Sequence, residues 1–391
     1  MNDWRNLKLG DVLTLQRGFD ITRANQRPGA IPVVSSSGIG SYHDEAMVQG
    51  PGVVIGRKGS LGTCFFLNQA FWPHDTTLWV RDFKGNDPHF CYFLLKSMDL
   101  AKFDVGAANP TLNRNHLHVL DVRCPSVPTQ RRIASILGTY DDLIEVNRRR
   151  IALLEEMARR LFEEWFVRFR FPGHENQAMV QTPEGPLPEG WHTRKIGDLC
   201  VYLSRGVAPN YDETASTLVV GQKCIRDQRL SLAPARRQSR PAPPEKLIKP
   251  GDVLINSTGV GTLGRVAQAE DVPDGLTADT HVTILRSQTE VDRDFFGLAL
   301  LRMEPVFERM GAGATGQTEL NRSRIAEVTF AVPPENLQTT FGYHARPIRA
   351  LSNQLARQND LLTVSRDVLL PRLISGELPI TSVERELEAV A

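Results

Sequence analysis

Cysteine is scarce in this sequence and forms no recognisable metal or disulfide pattern. The five cysteines, in a chain of 391 residues, lie far apart, and no two of them form a Cys-x-x-Cys pair. An odd number of scattered cysteines favours reduced thiols over a disulfide framework or a zinc site. We therefore expect a cytoplasmic protein that holds no metal ion.

Long hydrophobic runs are also missing. No apolar stretch approaches the 18 or so residues that a transmembrane helix needs. The first residues, Met-Asn-Asp-Trp-Arg, lack the charged-then-apolar layout of a secretory signal. With 41% hydrophobic and 23% charged residues, the composition is that of a soluble globular protein without a membrane partner. Its length predicts two or three domains.

An excess of one charge sign is the third feature that the chain lacks. The formal net charge is +1, and residues 171–332 contain 18 Lys and Arg against 20 Asp and Glu. Binding to nucleic acid would therefore need cations concentrated on one face, or a partner that supplies part of the positive potential. Composition alone leaves the question of DNA open.

The chain repeats itself once along its length. The matched pairs are Trp4…Leu9-Gly10-Asp11-Val12 with Trp191…Ile196-Gly197-Asp198-Leu199, Arg17-Gly18 with Arg205-Gly206, Pro51-Gly52 with Pro250-Gly251, Ser60-Leu61-Gly62 with Thr262-Leu263-Gly264, Asp75-Thr76 with Asp279-Thr280, Leu112-Asn113-Arg114 with Leu320-Asn321-Arg322, and Pro125…Gln130 with Pro333…Gln338. Each match alone is weak, but their order is the same in both halves, and the offset grows only from 187 to 208 residues. This pattern predicts two copies of one domain, each followed by the same kind of helix.

Within each copy, short Val- and Ile-rich runs are separated by Gly, Pro, Asn and Asp, as in Ile31–Val34 and His281–Leu285. Such runs predict strands. A more helical stretch follows at Phe90–Ala101 and Phe295–Arg309. Each copy is therefore predicted to be a mixed α/β domain.

After each copy the apolar residues alternate by four and three, which predicts a coiled-coil seam. The first seam is Ile133, Leu137, Tyr140, Ile144, Asn147, Ile151, Leu154, Ala158, Leu161 and Trp165; the second is Phe341, Ala345, Ile348, Ser352, Leu355, Asn359, Leu362, Arg366, Leu369 and Leu373. Pro347 removes a backbone donor, so we expect a kink or break near Tyr343–Arg346 and a main second helix of Ile348–Leu370. The alternative is two helices buried in separate domain cores.

These patterns predict the following organisation. Residues 1–124 form the first α/β domain, 125–170 the first spacer helix, 171–332 a linker and the second α/β domain, 333–376 the second spacer helix, and 377–391 a tail. Because the copies are arranged in tandem, pairing the helices antiparallel would give the molecule a pseudo-twofold internal repeat. A helix of roughly 40 residues spans about 60 Å, whereas DNA advances one turn in about 34–36 Å. Two domains on such helices would meet two different duplex sites separated by unread bases.

No motif supplies chemistry of its own. Asn109-Pro110-Thr111 fails the Asn/Asp-Pro-Pro-aromatic pattern of an adenine methyltransferase, and Gly56–Gly62 lacks the Gly-Lys-Ser/Thr ending of a phosphate-binding loop. His116 and His118 have no partner at metal-ligand spacing. We therefore predict a protein that is not an enzyme and has no catalytic residues.

Residues of the types that contact DNA cluster in two kinds of segment, the glycine turn after a strand and the Leu-Asn-Arg motif. The candidates are Arg57, Lys58, Ser60, Asn109, Thr111, Asn113 and Arg114 in the first copy, and Asn256, Ser257, Thr258, Thr262, Gln317, Thr318, Asn321 and Arg322 in the second. Two alternatives stay open: Asn113 and Asn321 could cap the next helix, and the turn residues could form solvated hairpin tips. A basic loop, Arg236-Arg237…Arg240 with Lys246 and Lys249, could bind phosphates or be a Pro-rich surface insertion.

The order of domain, helix, domain and helix resembles that of the specificity subunits of Type I restriction–modification systems, over essentially the whole chain. The most similar segments are Gly106–Arg114 running on to Pro125–Ile133, Gly313–Arg322 running on to Pro333–Gln338, and the helix endings Leu161–Val167 and Leu369–Leu378. The family often carries Glu-Gln where this chain has Thr129-Gln130 and Leu337-Gln338, a departure that concerns the scaffold.

The resemblance implies that the two α/β domains are target recognition domains that read a bipartite asymmetric site on double-stranded DNA. The helices would set the spacer and dock two methyltransferase subunits, which use S-adenosylmethionine to methylate adenine N6. Endonuclease and translocase subunits, which use ATP and Mg, would join them. The present chain would hold no cofactor itself.

Two other functions remain alternatives. The near-neutral charge also fits a coiled-coil scaffold with two adaptor domains and no DNA role. A self-contained enzyme is disfavoured by the missing motifs.

Overall fold

The computed structural model describes residues 3–104, 111–311 and 319–390, with side chains described to residue 385. The chain divides into two compact units. Unit 1 combines residues 1–147 with 357–391, and unit 2 is residues 148–356. No helix in the described part of the chain combines the length and apolar composition that crossing a bilayer requires.

Most of the helices and strands recur in the same order in the two halves of the chain, and the second half has additional elements. The strands are β1 (Arg5–Lys8), β2 (Thr14–Arg17), β3 (Ile31–Ser35), β4 (Gly38–His43), β5 (Gly52–Gly56), β6 (Cys64–Leu67), β7 (Trp72–Pro73), β8 (Thr77–Asp82), β9 (Asp121–Cys124), β10 (Met179–Thr182), β11 (Gly185–Pro188), β12 (His192–Lys195), β13 (Cys200–Arg205), β14 (Thr217–Val220), β15 (Ile225–Arg226), β16 (Arg229–Leu230), β17 (Arg236–Gln238), β18 (Val253–Asn256), β19 (Val266–Gln268), β20 (Thr277–Ala278), β21 (Val282–Ser287) and β22 (Thr329–Val332). The helices are α1 (Leu9–Val12), α2 (Pro88–Lys96), α3 (Arg114–His118), α4 (Val127–Phe166), α5 (Ile196–Leu199), α6 (Arg293–Arg302), α7 (Glu304–Gly311), α8 (Arg322–Glu327), α9 (Glu335–Ile374) and α10 (Ile380–Val390).

Each unit contains a four-stranded antiparallel sheet and a three-stranded mixed sheet. The four-stranded sheets have the orders β2-β8-β5-β6 and β13-β21-β18-β19, and the three-stranded sheets β4-β3-β7 and β17-β14-β20. β-Branched residues such as Val53 and Ile55 of β5 are fully buried, as expected for central strands. The predicted mixed α/β class is confirmed.

The core of unit 1 includes the ends of both long helices. Ile133 and Leu137 of α4 and Leu373 of α9 are fully buried together with Phe90 and Phe93 of α2. Burying five such side chains stabilises the unit by roughly 1.5–3 kcal/mol each. The domain and the two helix segments therefore share one hydrophobic core.

The two long helices also contact each other within unit 1. The Asn147 amide donates to the Asn359 side-chain oxygen at 3.1 Å, and the Asn359 amide donates to the carbonyl of Ile144 at 3.2 Å. Nearer the start of α4, Asp141 forms an ion pair with Arg366, which is only 12% exposed. The contact residue on α9 moves from 359 to 366 as the contact residue on α4 moves from 147 to 141. The two helix segments therefore run antiparallel in this unit.

Aromatic rings fill the corresponding place in unit 2. Phe166 of α4 lies 4.8 Å from Phe341 of α9 and 4.9 Å from Phe295 of α6, between ring centroids. Trp165 contacts Phe341 from the other side at 5.7 Å. Each unit therefore contains one segment of α4 and one of α9, and neither helix is absorbed whole into one domain.

Every residue of the two predicted seams is buried or half-buried. The buried ones are Ile133, Leu137, Ile144, Asn147, Ile151, Ala158, Trp165, Phe341, Ala345, Ser352, Leu355 and Leu373. The half-buried ones are Tyr140, Leu154, Leu161, Ile348, Asn359, Leu362, Arg366 and Leu369.

The expected break at Pro347 is wrong, because α9 runs without interruption from Glu335 to Ile374. A proline inside a helix costs about 3 kcal/mol through one lost hydrogen bond and a steric clash. Tertiary contacts on both sides offset this cost. Ala345 is fully buried before the proline, and Arg349 after it forms an ion pair with Glu270 at 2.8 Å.

A buried glutamine fastens each long helix to its α/β domain in the same way. Gln130 accepts from the backbone of Asp87 at 2.9 Å, and Gln338 accepts from that of Asp292 at 3.1 Å. Each glutamine also donates to the carbonyl of the proline five residues before it, at 3.0 and 2.8 Å. Asp87 and Asp292 in turn cap α2 and α6. The start of each long helix is thereby held to the domain core by satisfied buried polar groups.

Candidate nucleic-acid interface

The glycine turns that follow β5 and β18 close with the same backbone bonds. Gly62 donates to the carbonyl of Gly56 at 2.9 Å, and Gly264 donates to that of Asn256 at 2.8 Å. Both closing glycines have a positive φ, +73° and +84°. Only glycine adopts this backbone at low cost, so the turn geometry follows directly from the sequence.

The Leu-Asn-Arg motif lies directly beside each turn. Leu112 donates to the carbonyl of Arg57 at 3.0 Å, and Leu320 donates to that of Ser257 at 2.8 Å. Isolated β-bridges join Lys58 to Thr111 and Thr258 to Glu319. The structure thus brings together, in each unit, two predicted segments that lie more than 50 residues apart in the sequence.

In unit 1 this surface is positively charged. Lys58, Ser60, Asn113 and Arg114 are exposed and Thr111 is half-buried. The guanidinium of Arg57 is half-buried and, among the described residues, its Nη1 atom has no hydrogen-bond partner. Burial, with the nearby Arg17, lowers the pKa of this guanidinium. The turn thus contains a cation whose hydrogen-bonding capacity is only partly used, next to an exposed lysine.

In unit 2 two of the predicted DNA contacts are wrong. Asn256 is fully buried, and its amide donates to the carbonyls of Gln222 and Thr262, each at 3.1 Å. Ser257 is also fully buried and its hydroxyl pairs with that of Thr283 at 2.5 Å. Both side chains hold the turn together from inside, so neither reaches the surface.

Thr258 and Thr262 belong to a half-buried polar network at the turn of unit 2. The amide of Gln222 donates to the Thr258 hydroxyl at 2.6 Å, and the His281 ring lies 2.7 Å from the same hydroxyl. The Thr262 hydroxyl reaches Gln222 at 3.5 Å. Sequence reasoning missed Gln222 and His281, because nothing in the sequence indicates that residues 23 to 40 positions away contact this turn. Where the turn of unit 1 carries Arg57 and Lys58, the turn of unit 2 presents hydroxyl, amide and imidazole groups.

Val260 is a further residue that sequence reasoning missed. It lies at the tip of the unit 2 turn and is 92% exposed. Gly259 aligns with Gly59 and Thr262 with Ser60, so Val260-Gly261 is a two-residue insertion in the second copy. The offset between matched residues of the two copies rises from 200 to 202 at this point, and this rise is the sequence signal that indicates the insertion. An exposed apolar tip can contact the methyl group of thymine.

Asn113 and Asn321 cap the helices that follow them. The Asn113 side chain accepts from the backbone of Asn115 at 3.0 Å, and that of Asn321 accepts from Ser323 at 3.0 Å. Capping therefore uses the side-chain oxygen of each asparagine. Both asparagine side chains are nevertheless exposed, as are the neighbouring Arg114 and Arg322.

Replacing Asn113 by serine and by alanine separates capping from reading. We expect N113A to lower the free energy of unfolding by about 1 kcal/mol and N113S to leave it nearly unchanged, because serine also caps. If Asn113 contacts a base, both variants will lose discrimination at one target position. Measurement of urea unfolding and of target affinity tests both expectations. Full target discrimination by N113S would leave capping as the whole role.

Asn109, Gln317 and Thr318 lie outside the described residues. Within the described ranges, no group of three or more His, Cys, Asp or Glu side chains is placed to bind a metal ion. The five cysteines are free, and burial raises the pKa of the Cys64 and Cys200 thiols to about 12. His118 accepts from the backbone of Leu15 at 2.9 Å, a structural contact.

Comparison with known proteins gives one consistent result. The profile of the Type I restriction modification DNA specificity domain matches residues 1–156. The specificity subunit of the Type I restriction enzyme MjaIX of Methanocaldococcus jannaschii is 26% identical over 309 residues, which cover 74% of this chain and 69% of the relative. The chain is therefore similar to the specificity subunits of Type I restriction–modification systems.

Two further proteins show the same similarity. The specificity subunit of the Type I enzyme HindI of Haemophilus influenzae is 22% identical over 366 residues, covering 74% of this chain and 77% of the relative. The crystal structure of the Type I S subunit from M. genitalium has the same fold, with a TM-score of 0.64, 16% identity and coverage of 95% and 96% of the two chains. The first glycine turn lies within residues 1–156, which match the DNA specificity domain, so the two turns are candidate DNA contacts.

Proposed function

We propose that the chain is the specificity subunit of a Type I restriction–modification system and recognises a bipartite, asymmetric duplex target, one half with each α/β domain. The observation that carries the proposal is that two turns with the same backbone bonds present different side chains. Unit 1 presents Arg57 and Lys58, whereas unit 2 presents Thr258, Thr262 and Val260. Base edges are discriminated by the donors, acceptors and apolar groups that meet them. The two halves of the target therefore differ in sequence.

We further infer that the molecule is a pseudo-twofold internal repeat whose two long helices form an antiparallel coiled coil. Four exposed leucines support this arrangement. Leu143 and Leu351 are 38% exposed, and Leu153 and Leu361 are 65% and 70% exposed. Both pairs are separated by 208 residues, the offset of the repeat. Leu143 and Leu361 lie in unit 1, and Leu153 and Leu351 in unit 2.

One apolar helix patch in each unit fits two copies of one partner. We define patch 1 as Leu143, Val146, Leu361, Val364 and Val368, all exposed on α4 and α9 in unit 1. Patch 2 is Leu153, Met157, Tyr343 and Leu351, exposed on the same helices in unit 2. Exposed apolar groups of this kind mark interaction surfaces. We assign them to two methyltransferase subunits, which carry S-adenosylmethionine; endonuclease subunits with ATP and Mg complete the complex.

Co-expression with the methyltransferase subunit, followed by mapping of methylated adenines, tests the proposal. We expect two methylated adenines, one on each strand, within a target of two unlike halves. Exchange of the unit 1 turn residues Arg57 and Lys58 for threonine should change one half only. A complex that shows no target-dependent methylation would favour the scaffold with two adaptor domains.

The spacing of the target tests the role of the helices. A seven-residue insertion in both α4 and α9, at 147/148 and 356/357, keeps the heptad register and adds about 10 Å to each helix. We expect the unread spacer to lengthen by about three base pairs, because each base pair rises about 3.4 Å. The same insertion in α4 alone shifts the seam residues of α4 relative to those of α9. The lost contacts should destabilise the subunit. An unchanged spacer in the double insertion would show that the helices do not set it.

A further inference from the structure

A strongly basic stretch is hidden within the near-neutral second domain. Residues 205–249 contain nine Lys and Arg against four Asp and Glu, whereas the rest of residues 171–332 contains nine against sixteen. Charge is thus segregated within the domain. The position of those nine cations in the fold decides whether they form one surface.

Three of the cations lie along a single segment, residues 206–211. Lys246 donates to the carbonyl of Gly206 at 2.8 Å, and Arg240 donates to that of Ala208 at 2.8 Å. At the far end, the guanidinium of Arg236 lies 3.5 Å from the centre of the Tyr211 ring. We call Arg236, Arg240 and Lys246 the basic strip.

The positive charge of the basic strip is largely uncompensated. Its hydrogen-bond acceptors are backbone carbonyls and a ring face, which orient a cation without neutralising it. In the described part of the chain, the sole carboxylate within 4.0 Å of the strip is the exposed Glu213, at 4.0 Å from Arg236. Arg236 and Arg240 are exposed and Lys246 is half-exposed. A guanidinium that donates one N–H still has four to offer.

The strip begins beside the glycine turn of unit 2. Arg205, which immediately precedes the segment, donates to the carbonyl of Leu320 at 3.4 Å and pairs with Glu319 at 2.6 Å. Glu319 forms the β-bridge with Thr258 of the turn. A ligand that lies on the turn therefore meets the strip next.

Among the described residues of the first domain, the matching place has no such strip. Arg17-Gly18 corresponds to Arg205-Gly206, and there Asp20 follows and pairs with Arg17 at 3.5 Å. The edge strand β4 corresponds to β17, and its register places Ser41 and Tyr42 where β17 has Arg236 and Arg237. The two domains differ in charge as well as in turn residues.

We propose that the basic strip binds the phosphate backbone of the duplex next to the half-site read by unit 2. This inference rests on the proposed function, since it assumes that unit 2 meets DNA. Arginine suits the role because its planar fork pairs with two phosphate oxygens at once. Tyr211 holds Arg236 in place. The strip supplies affinity without sequence choice.

The salt dependence of target binding tests the proposal. The variant R236Q/R240Q/K246Q, assembled with the methyltransferase, is titrated with a target duplex at several KCl concentrations. Each phosphate contact contributes about 0.9 to the slope of log K against log salt. We expect the slope to fall by about 2.7, and affinity at ~0.1 M salt to fall roughly 10²- to 10³-fold. Preference for the target over a scrambled duplex should not change.

Matched variants separate charge from structure. R236K/R240K keeps the positive charge and should retain most of the salt slope of the unmodified complex. If the guanidinium groups served only to hold the fold, lysine would not replace them and the slope would fall. R226Q removes an exposed cation of β15 that lies 3.7 Å from Asp227 and should leave the slope unchanged. If the triple variant unfolds, each single variant should lower the slope by about 0.9.

The outcomes distinguish the two levels of inference. A triple variant with the slope of the unmodified complex, while that complex still binds its target, would overturn the basic strip alone. An equal loss of slope in R226Q would also overturn it, since the effect would then be one of total charge. No salt-dependent target binding by the unmodified complex would instead overturn the proposed function.

Discussion

Replacing Leu143 and Leu361 by aspartate should remove one methyltransferase subunit from the complex and leave the other bound. The two leucines are the members of patch 1 that recur in patch 2 at the repeat offset. Burying one leucine at an interface is worth roughly 1.5–3 kcal/mol, so losing both weakens docking by at least about 10²-fold. Aspartate adds the cost of burying a charge.

Native mass spectrometry of the co-expressed complex checks this prediction. The ratio of methyltransferase to specificity subunit should fall from two to one. The matched variant L153D/L351D should remove the other copy, and combining all four substitutions should remove both. Since all four leucines are at least 38% exposed, the thermal stability of the free chain should change little. A ratio of two in L143D/L361D would exclude patch 1 as the docking surface.

The second large effect is expected in the core of unit 2. Phe341→Ala should lower the free energy of unfolding by about 3–5 kcal/mol, because a large ring is lost from a fully buried position. Phe341 contacts Phe162, Trp165 and Phe166, so its removal leaves a cavity between α4 and α9 inside this unit.

Tyr343→Ala is the matched control on the same helix, two residues away. Tyr343 is 76% exposed, so the free energy of unfolding should change by less than about 0.5 kcal/mol. Urea unfolding followed by tryptophan fluorescence measures both variants, since Trp165 and Trp191 belong to this core. Equal stability of the two variants would mean that α9 does not contribute to the core of unit 2.

One pair of positions shows why the attachment of helix to domain could not be predicted from the repeat. In unit 2, the buried Asp294 accepts from Arg346 of α9 at 2.8 Å. The matching positions in unit 1 are His89 and Gly138. The imidazole stacks on Phe66 at 4.4 Å, and a Cβ atom at 138 would lie only 3.0 Å from it. The same place in the fold uses an ion pair in one copy and ring packing in the other.

Sequence alone determined the features that depend on local periodicity. The α/β class, the long helices and the residues of their seams follow from spacings of two, three and four residues, which are properties of neighbouring positions in the chain. The internal repeat follows from ordered motifs. The glycine turns were also predictable, because a positive φ restricts which residue can stand there.

Tertiary structure decided which side chains remain on the surface. Asn256 and Ser257 have the chemistry of DNA contacts, but the turn and β21 use their hydrogen bonds inside the domain. Pro347 should break an isolated helix, yet packing on both sides of it keeps α9 continuous. The basic strip exists because the fold lays residues 236–246 along residues 206–211, and burial and proximity between distant segments are not written in local spacing.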